Sequence, residues 1–195
     1  MRIVLASRNT GKLEELSALL EPLDYTVESQ AAHNVPSAEE TGLTFVENAL
    51  IKARAVAAAT GLAALADDSG LVVPVLDGAP GIYSARYAGS HGDDAANNRK
   101  LIADLQGIEN REAYFYCAMA LLRHANDPTP CIATAAWHGQ IIDEPCGEGG
   151  FGYDPHFFLP GLQQTSAQLP AAQKNKLSHR GQATARLIAQ LQQQI

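Results

Sequence analysis

The stretch Leu65-Ala66-Asp67-Asp68-Ser69-Gly70-Leu71 sets two adjacent carboxylates between two apolar runs, GLAALA ahead of them and LVVPVL behind. Short apolar runs of this kind read as buried strands. A carboxylate inside such a strand is costly unless it is paired or binds a metal. The segment therefore predicts a core strand that ends by delivering Asp67 and Asp68 to a turn, the place where α/β sheets hold ligands.

Working outward, the clearest helix precedes that strand. Thr44 and Glu47 have the spacing of a capping box. Phe45, Ala49, Leu50, Ala53, Val56 and Ala57 recur at helical spacing, and Gly61 is a fitting end. Asn48 and Lys52 are four residues apart and so share a face. Further upstream, Arg2-Ile3-Val4-Leu5-Ala6 reads as a strand and Ser7-Arg8-Asn9-Thr10-Gly11 as a turn. Residues 12–20 follow as a helix with Leu13, Leu16, Leu19 and Leu20 on one face. A second strand is predicted over 25–29, then a polar loop through Glu39-Glu40-Thr41-Gly42.

Downstream, residues 95–105 read as a helix. Residues 112–122 and 131–137 read as strands separated by a turn at Asn126-Asp127-Pro128. A glycine-rich stretch over 147–155 precedes Phe157-Phe158-Leu159. Ser178-His179-Arg180-Gly181 precedes a last helix over 183–192. Early alternation of strand and helix with a strand-rich middle predicts an α/β fold on a mixed sheet.

The 195 residues suit a single domain spanning 1–195, with room for two lobes on one core. A net charge of -7 argues against a nucleic-acid or anionic-membrane surface but leaves a local pocket for a small anion open. Cys117, Cys131 and Cys146 are odd in number and form no metal-ligand spacing, as expected of a reducing compartment. No run approaches the roughly 18 apolar residues of a membrane span. A soluble cytoplasmic protein is the expectation.

Four segments carry side chains for chemistry. Ser7-Arg8-Asn9-Thr10-Gly11-Lys12 is a strand–turn–helix whose unpaired N–H groups and lysine suit a phosphate. Equally, Asn9 or Thr10 can simply cap the helix. Glu39-Glu40 with Asp67-Asp68 supplies hard oxygen ligands for Mg²⁺, or, for the glutamates, a solvated loop. In Phe151-Gly152-Tyr153-Asp154 an aromatic could stack on a base and Asp154 could accept from ring N–H groups. The alternative is a glycine-rich turn with a core aromatic. Lys174 with His179 and Arg180 could donate to a keto oxygen or a phosphate, or could be exposed basic residues beside a helix cap. Phosphate donors, a carboxylate cluster and an aromatic-plus-polar segment together are what a Mg²⁺-dependent nucleoside triphosphate site requires.

In these motifs the chain resembles the inosine/xanthosine triphosphate pyrophosphatase family. The resemblance runs from Ser7-Arg8-Asn9-Thr10-Gly11-Lys12 through Ala66-Asp67-Asp68-Ser69-Gly70-Leu71, Gly78-Ala79-Pro80-Gly81-Ile82-Tyr83-Ser84-Ala85-Arg86-Tyr87 and Gly149-Gly150-Phe151-Gly152-Tyr153-Asp154-Pro155 to Ser178-His179-Arg180-Gly181. One departure is Ser7-Arg8, where many relatives have Thr-Gly; serine keeps the hydroxyl. The resemblance implies an elongated mixed sheet with flanking helices, two lobes around a central nucleotide-binding cleft, and a homodimer. It implies Mg²⁺-dependent conversion of ITP, dITP or XTP to the monophosphate and pyrophosphate. By the same resemblance Ser7, Arg8, Asn9, Thr10, Gly11, Lys12 and Lys52 meet the triphosphate and Ser69 touches the nucleotide. Glu39 and Asp68 bind the metal, and Asp68 also accepts the proton. Phe151, Gly152, Tyr153, Asp154, Lys174, His179 and Arg180 hold the base. Arg86 is a candidate contact from the other lobe or subunit. Two rivals are a septum-inhibition-type pyrophosphatase acting on modified pyrimidine triphosphates and a nucleotide sensor that binds without hydrolysis.

Overall fold

The computed structural model describes residues 1–193, apart from the side chains of Glu15, Ala18 and Leu19. The expectation for Leu19 thus lies outside the description. Strands β1 (Arg2–Leu5), β2 (Thr26–Ser29), β3 (Ala63–Val72), β4 (Glu112–Leu122), β5 (Cys131–Ile141), β6 (Phe157–Leu159) and β7 (Gln164–Thr165) form one mixed sheet. Its order is β2-β1-β3-β4-β5-β6-β7. β1 pairs in parallel with both β2 and β3, while β6 runs antiparallel to β5 and β7. Helices are α1 (Thr10–Leu20), α2 (Phe45–Thr60), α3 (Asp94–Asp104), α4 (Ala171–Leu177) and α5 (His179–Gln193). None of the described helices is long and apolar enough to cross a membrane.

The chain divides into two compact units. One comprises Met1–Asp68, Ala118–Thr134 and the C-terminal segment from Ala183; the other comprises Ser69–Cys117 and Ala135–Gln182. The first is cored by small side chains: Ala49, Ala53, Val56 and Ala57 of α2 lie against Val4, Ala64, Ala66, Ala120 and Leu122. The second has larger ones, among them Leu71, Leu101, Leu105, Trp137, Tyr153 and Phe157. Phe157 stands 4.6 Å from Phe115 and 5.5 Å from Trp137, ring to ring.

The capping signals act as the spacing predicts, with one difference. Thr44 caps α2 by accepting from the Glu47 N–H at 3.2 Å, and Gly61 ends it at φ 68°. The Glu47 carboxylate takes the Leu43 N–H and the Thr44 hydroxyl rather than the Thr44 N–H. Three expectations are corrected. Asp67 and Asp68 lie in the middle of β3, which continues to Val72, and not at its end. β5 reaches Ile141 rather than stopping at Trp137. The last helix starts at His179, four residues before the expected start at 183, so His179 and Arg180 occupy its first turn. Ser178 accepts there from the Gly181 N–H at 3.2 Å.

Candidate active site

In the first unit, β3 distributes its two carboxylates by strand geometry. Successive strand residues face opposite sides of a sheet. Asp68 therefore shares a face with Ala64 and Ala66, the face covered by α2, and meets Lys52 from that helix at 2.7 Å. Asp67 faces the other way, and both its oxygens accept from Lys12 of α1 at 2.8 Å. Lys52 also donates to Glu40 at 2.8 Å. Glu39, its neighbour, is exposed. Glu40 is therefore the glutamate drawn into this cluster.

Both aspartates are buried, at 4% and 8% exposure for Asp67 and Asp68. Burial works to lower the pKa of the Lys52 ammonium, but Asp68 and Glu40 outweigh it and the net direction is up. Asp68 is also pushed above the ordinary carboxylate value, first by burial, against the pull of Lys52, with Glu40 and Asp67 adding to the rise. Three carboxylates here share two ammonium groups. Hard carboxylate oxygens gathered in this way suit a divalent cation. No group of three or more potential ligands among the described residues forms a ready cage. The donor set thus fits Mg²⁺ held by one or two carboxylates together with substrate phosphates.

Around the N-terminus of α1, Asn9 accepts from the Lys12 N–H at 3.1 Å and the Ser7 hydroxyl accepts from the Asn9 N–H at 3.1 Å. Asn9 thus caps the helix. Arg8, Thr10 and Gly11 are exposed around that cap.

In the second unit, the segment from Phe151 to Asp154 is a tight turn. The Asp154 carboxylate accepts from the Phe151 N–H at 2.8 Å, from the Ser166 hydroxyl at 2.7 Å and from the Lys174 ammonium. With both oxygens engaged and 3% exposure, Asp154 positions Lys174. A Cβ on Gly150, at φ +77°, would overlap the Asp154 carboxylate and stand 2.9 Å from Lys174 Nζ, so the turn needs glycine there. Phe151 is 64% exposed, and the Lys174 ammonium lies 5.0 Å from its ring centroid. Tyr153 belongs to the core, and its hydroxyl donates to the Ser84 carbonyl at 2.8 Å. Gly152 is anchored through its backbone: its N–H donates to Asp94 at 2.7 Å and its carbonyl accepts from Asn98 at 2.9 Å.

Arg180 donates to the Ser69 hydroxyl at 3.1 Å, across 111 residues of sequence. His179 is buried and stacks on Phe115 at 4.9 Å with 13° between the rings. The turn exposes a flat aromatic face beside a cation, and the first turn of α5 carries an arginine and a histidine. Such groups can stack on a ring and donate to a carbonyl oxygen. Sequence reasoning missed Asp94, Asn98 and Ser166. Asp94 and Asn98 are four apart on α3, but that spacing alone does not distinguish them from solvated helix positions.

The open mixed sheet and these two charged clusters define the class, an α/β protein with a lysine–carboxylate centre in each unit. The chain belongs to the Ham1 family, whose model matches residues 3–190. A dITP/XTP pyrophosphatase from Nitrosomonas europaea is 56% identical over 190 residues, covering 97% of this chain and 94% of the relative. One from Chromobacterium violaceum is 54% identical over 190 residues, covering 97% and 96%. The solved structure of a HAM1 protein from Coxiella burnetii matches with a TM-score of 0.96 at 48% identity, each chain covered to 99%. The Staphylococcus aureus Ham1 protein matches at 0.93 with 41% identity and full coverage of both.

Proposed function

We propose that this protein is a nucleoside triphosphate pyrophosphatase that hydrolyses deaminated purine nucleoside triphosphates. On this reading ITP, dITP and XTP give the monophosphate and pyrophosphate in a Mg²⁺-dependent reaction. The observation that carries the reading is the cluster in which Lys52 pairs with Asp68 and Glu40 while Lys12 pairs with Asp67. Full-length relatives at 54–56% identity that are dITP/XTP pyrophosphatases support it.

Asp68, with Glu39 or Glu40, would hold the metal. When bound, Mg²⁺ supplies charge neutralisation on the phosphates. Lys12 and Lys52, drawn from their carboxylates by the incoming triphosphate, stabilise charge on the departing pyrophosphate. Ser7 and the exposed residues Arg8 to Gly11 add donors at the start of α1. Asp68 accepts the proton of a water that attacks the α-phosphorus, and the α–β bond breaks. A buried carboxyl whose pKa is raised is a better proton acceptor than an ordinary one.

In the second unit Phe151 stacks on the base, Lys174 stands beside it, and Arg180 and His179 donate towards its 6-oxo oxygen. Adenine presents a 6-amino donor there and would leave those donors unpaired, which discriminates strongly. Ser69 orients Arg180 and touches the nucleotide. The protein works as a homodimer in the cytoplasm, on the pool of nucleic-acid precursors.

The test is to incubate purified protein and Mg²⁺ with ITP, XTP, dITP, ATP, GTP or dUTP, following pyrophosphate and orthophosphate separately, with and without EDTA. Pyrophosphate from ITP and XTP, little from ATP, and none with EDTA is the expected result. Orthophosphate alone would place attack at the γ-phosphorus and overturn the assignment. Preference for dUTP would favour the pyrimidine rival, and binding without product the sensor.

A further inference from the structure

In the second unit, with Pro155 and His156 in its wall, lies a pocket of about 690 Å³ to which the proposed chemistry assigns nothing. Its walls come from α3, from Arg111 and Asp143, and from Pro155 and His156. Its volume falls within the range of about 300–1,000 Å³ typical of small-molecule sites.

Three features make it a built site. The first is His156, 8% exposed. Its Nδ1 lies 2.9 Å from the Ile142 carbonyl oxygen. A carbonyl only accepts, so Nδ1 carries a proton, and in that tautomer Nε2 is the ring's acceptor. No protein group among the described residues bonds Nε2, and the ring forms part of the pocket wall. His156 thus presents one oriented acceptor.

The second is an imbalance of charge. Arg111 is committed: its guanidinium meets Asp143 at 2.8 and 3.3 Å, and its Nε donates to the Ile108 carbonyl at 2.9 Å. Arg99 has no hydrogen-bond or ion-pair partner among the described residues. The pocket therefore holds one uncompensated guanidinium, whose planar fork matches a phosphate or carboxylate. The third is an apolar stretch of wall from Ala95, Ile102, Pro145 and Pro155, which suits a ring or a short carbon skeleton.

We propose that this pocket is a second ligand site, which takes a small organic anion with a flat apolar body and one N–H or O–H donor. The anionic head pairs with Arg99, the body lies on Ile102 and the two prolines, and the donor bonds His156 Nε2. Nucleoside monophosphates and hydroxylated aromatic carboxylates share this chemistry. The site adjoins the candidate base-binding segment covalently through Pro155 and by hydrogen bond through Asn98, whose amide holds the Gly152 carbonyl. It does not depend on which triphosphate the enzyme hydrolyses.

The experiment follows the His156 imidazole nitrogens by long-range ¹H–¹⁵N NMR of the intact protein during titration with AMP, 4-hydroxybenzoate or inorganic phosphate. In the free protein the nitrogen shifts should report the Nδ1–H tautomer. AMP or 4-hydroxybenzoate should move the Nε2 resonance saturably below about 10 mM, within the ordinary range of weak ligands. Whichever binds more tightly identifies the source of the head group. Arg99→Ala should weaken that binding at least about tenfold, as loss of a charged contact does, and leave ITP hydrolysis unchanged. Lys174→Ala should leave the binding intact. Binding abolished by Lys174→Ala but not by Arg99→Ala would place the probe at the other cluster and overturn the site. No shift with any probe would overturn it as well. Inorganic phosphate binding as well as both organic probes would overturn the role given to the apolar wall.

Discussion

Asp68 and Glu40 both meet Lys52, and Asp67 meets Lys12. Asp68→Asn keeps the shape and the hydrogen-bonding reach but loses the proton acceptor. Hydrolysis should fall by about 10²–10⁴-fold, the usual worth of a positioned base, with the thermal midpoint little changed. Turnover equal to wild type would remove Asp68 from the role given it here. Lys174→Met should lower stability as well as remove the cation beside the base. It leaves the Asp154 carboxylate, 3% exposed, without its cation, and breaking such a buried pair costs about 3–5 kcal/mol. Urea denaturation measures this directly, and an unchanged midpoint would mean that Phe151 and Ser166 suffice to hold the carboxylate. On the surface, Glu28 bonds Arg2 and His33. Its pKa is lowered from 4.5 to about 2, chiefly by the Arg2 hydrogen bond and then by that of His33. A carboxylate lowered on folding contributes stability that is complete above its unfolded value and is lost as pH falls through its folded one. The excess stability of wild type over Glu28→Gln should therefore shrink from pH 4.5 down to about 2. A constant difference in urea midpoint across that window would contradict the pairing.

At the scale of elements, what is local was legible. The Thr44 cap and the Gly61 terminus of α2 depend on neighbours within a few residues, so the spacing predicts both ends. Thr44→Ala should cost about 1 kcal/mol by urea denaturation. Elements whose limits depend on distant contacts were misjudged. β5 runs on through Gly139, where β6 passes so close that a Cβ would meet the Phe158 carbonyl oxygen at 2.6 Å. Gly181 reads as the turn before a helix but lies inside the first turn of α5, where a Cβ would overlap the Asn175 carbonyl oxygen. Gly181→Ala should destabilise by about 1–3 kcal/mol, as overpacking does. An unperturbed variant would mean that α4 can move aside. The Asp67-Asp68 pair looks like the end of a strand because charge interrupts an apolar run. β3 continues because lysines from α1 and α2 meet one carboxylate on each face.

For the whole molecule, the chain divides into two compact units, and β3, β4, β5 and α5 each contribute residues to both. The division in β3 falls between Asp68 and Ser69, so adjacent residues of one motif carry the lysine-paired carboxylate of one unit and the arginine-bound hydroxyl of the other. The proposed homodimer predicts twice the chain mass by gel filtration with light scattering. A monomer at working concentration would refute it.

The sequence by itself determined the types of the main elements, the mixed α/β class and the motifs that mark the family. Each of these is written in periodicities and spacings over short distances. Only the tertiary structure decided which cation meets which carboxylate. The partners Lys12 and Asp67 are 55 residues apart and Lys52 and Asp68 are 16 apart. It also decided that Glu40 rather than Glu39 meets Lys52, that Tyr153 is core while Phe151 is exposed, and that His156 turns one bare nitrogen into a pocket. A charge can be read from a sequence, but its partner depends on which strand and which helix folding places side by side.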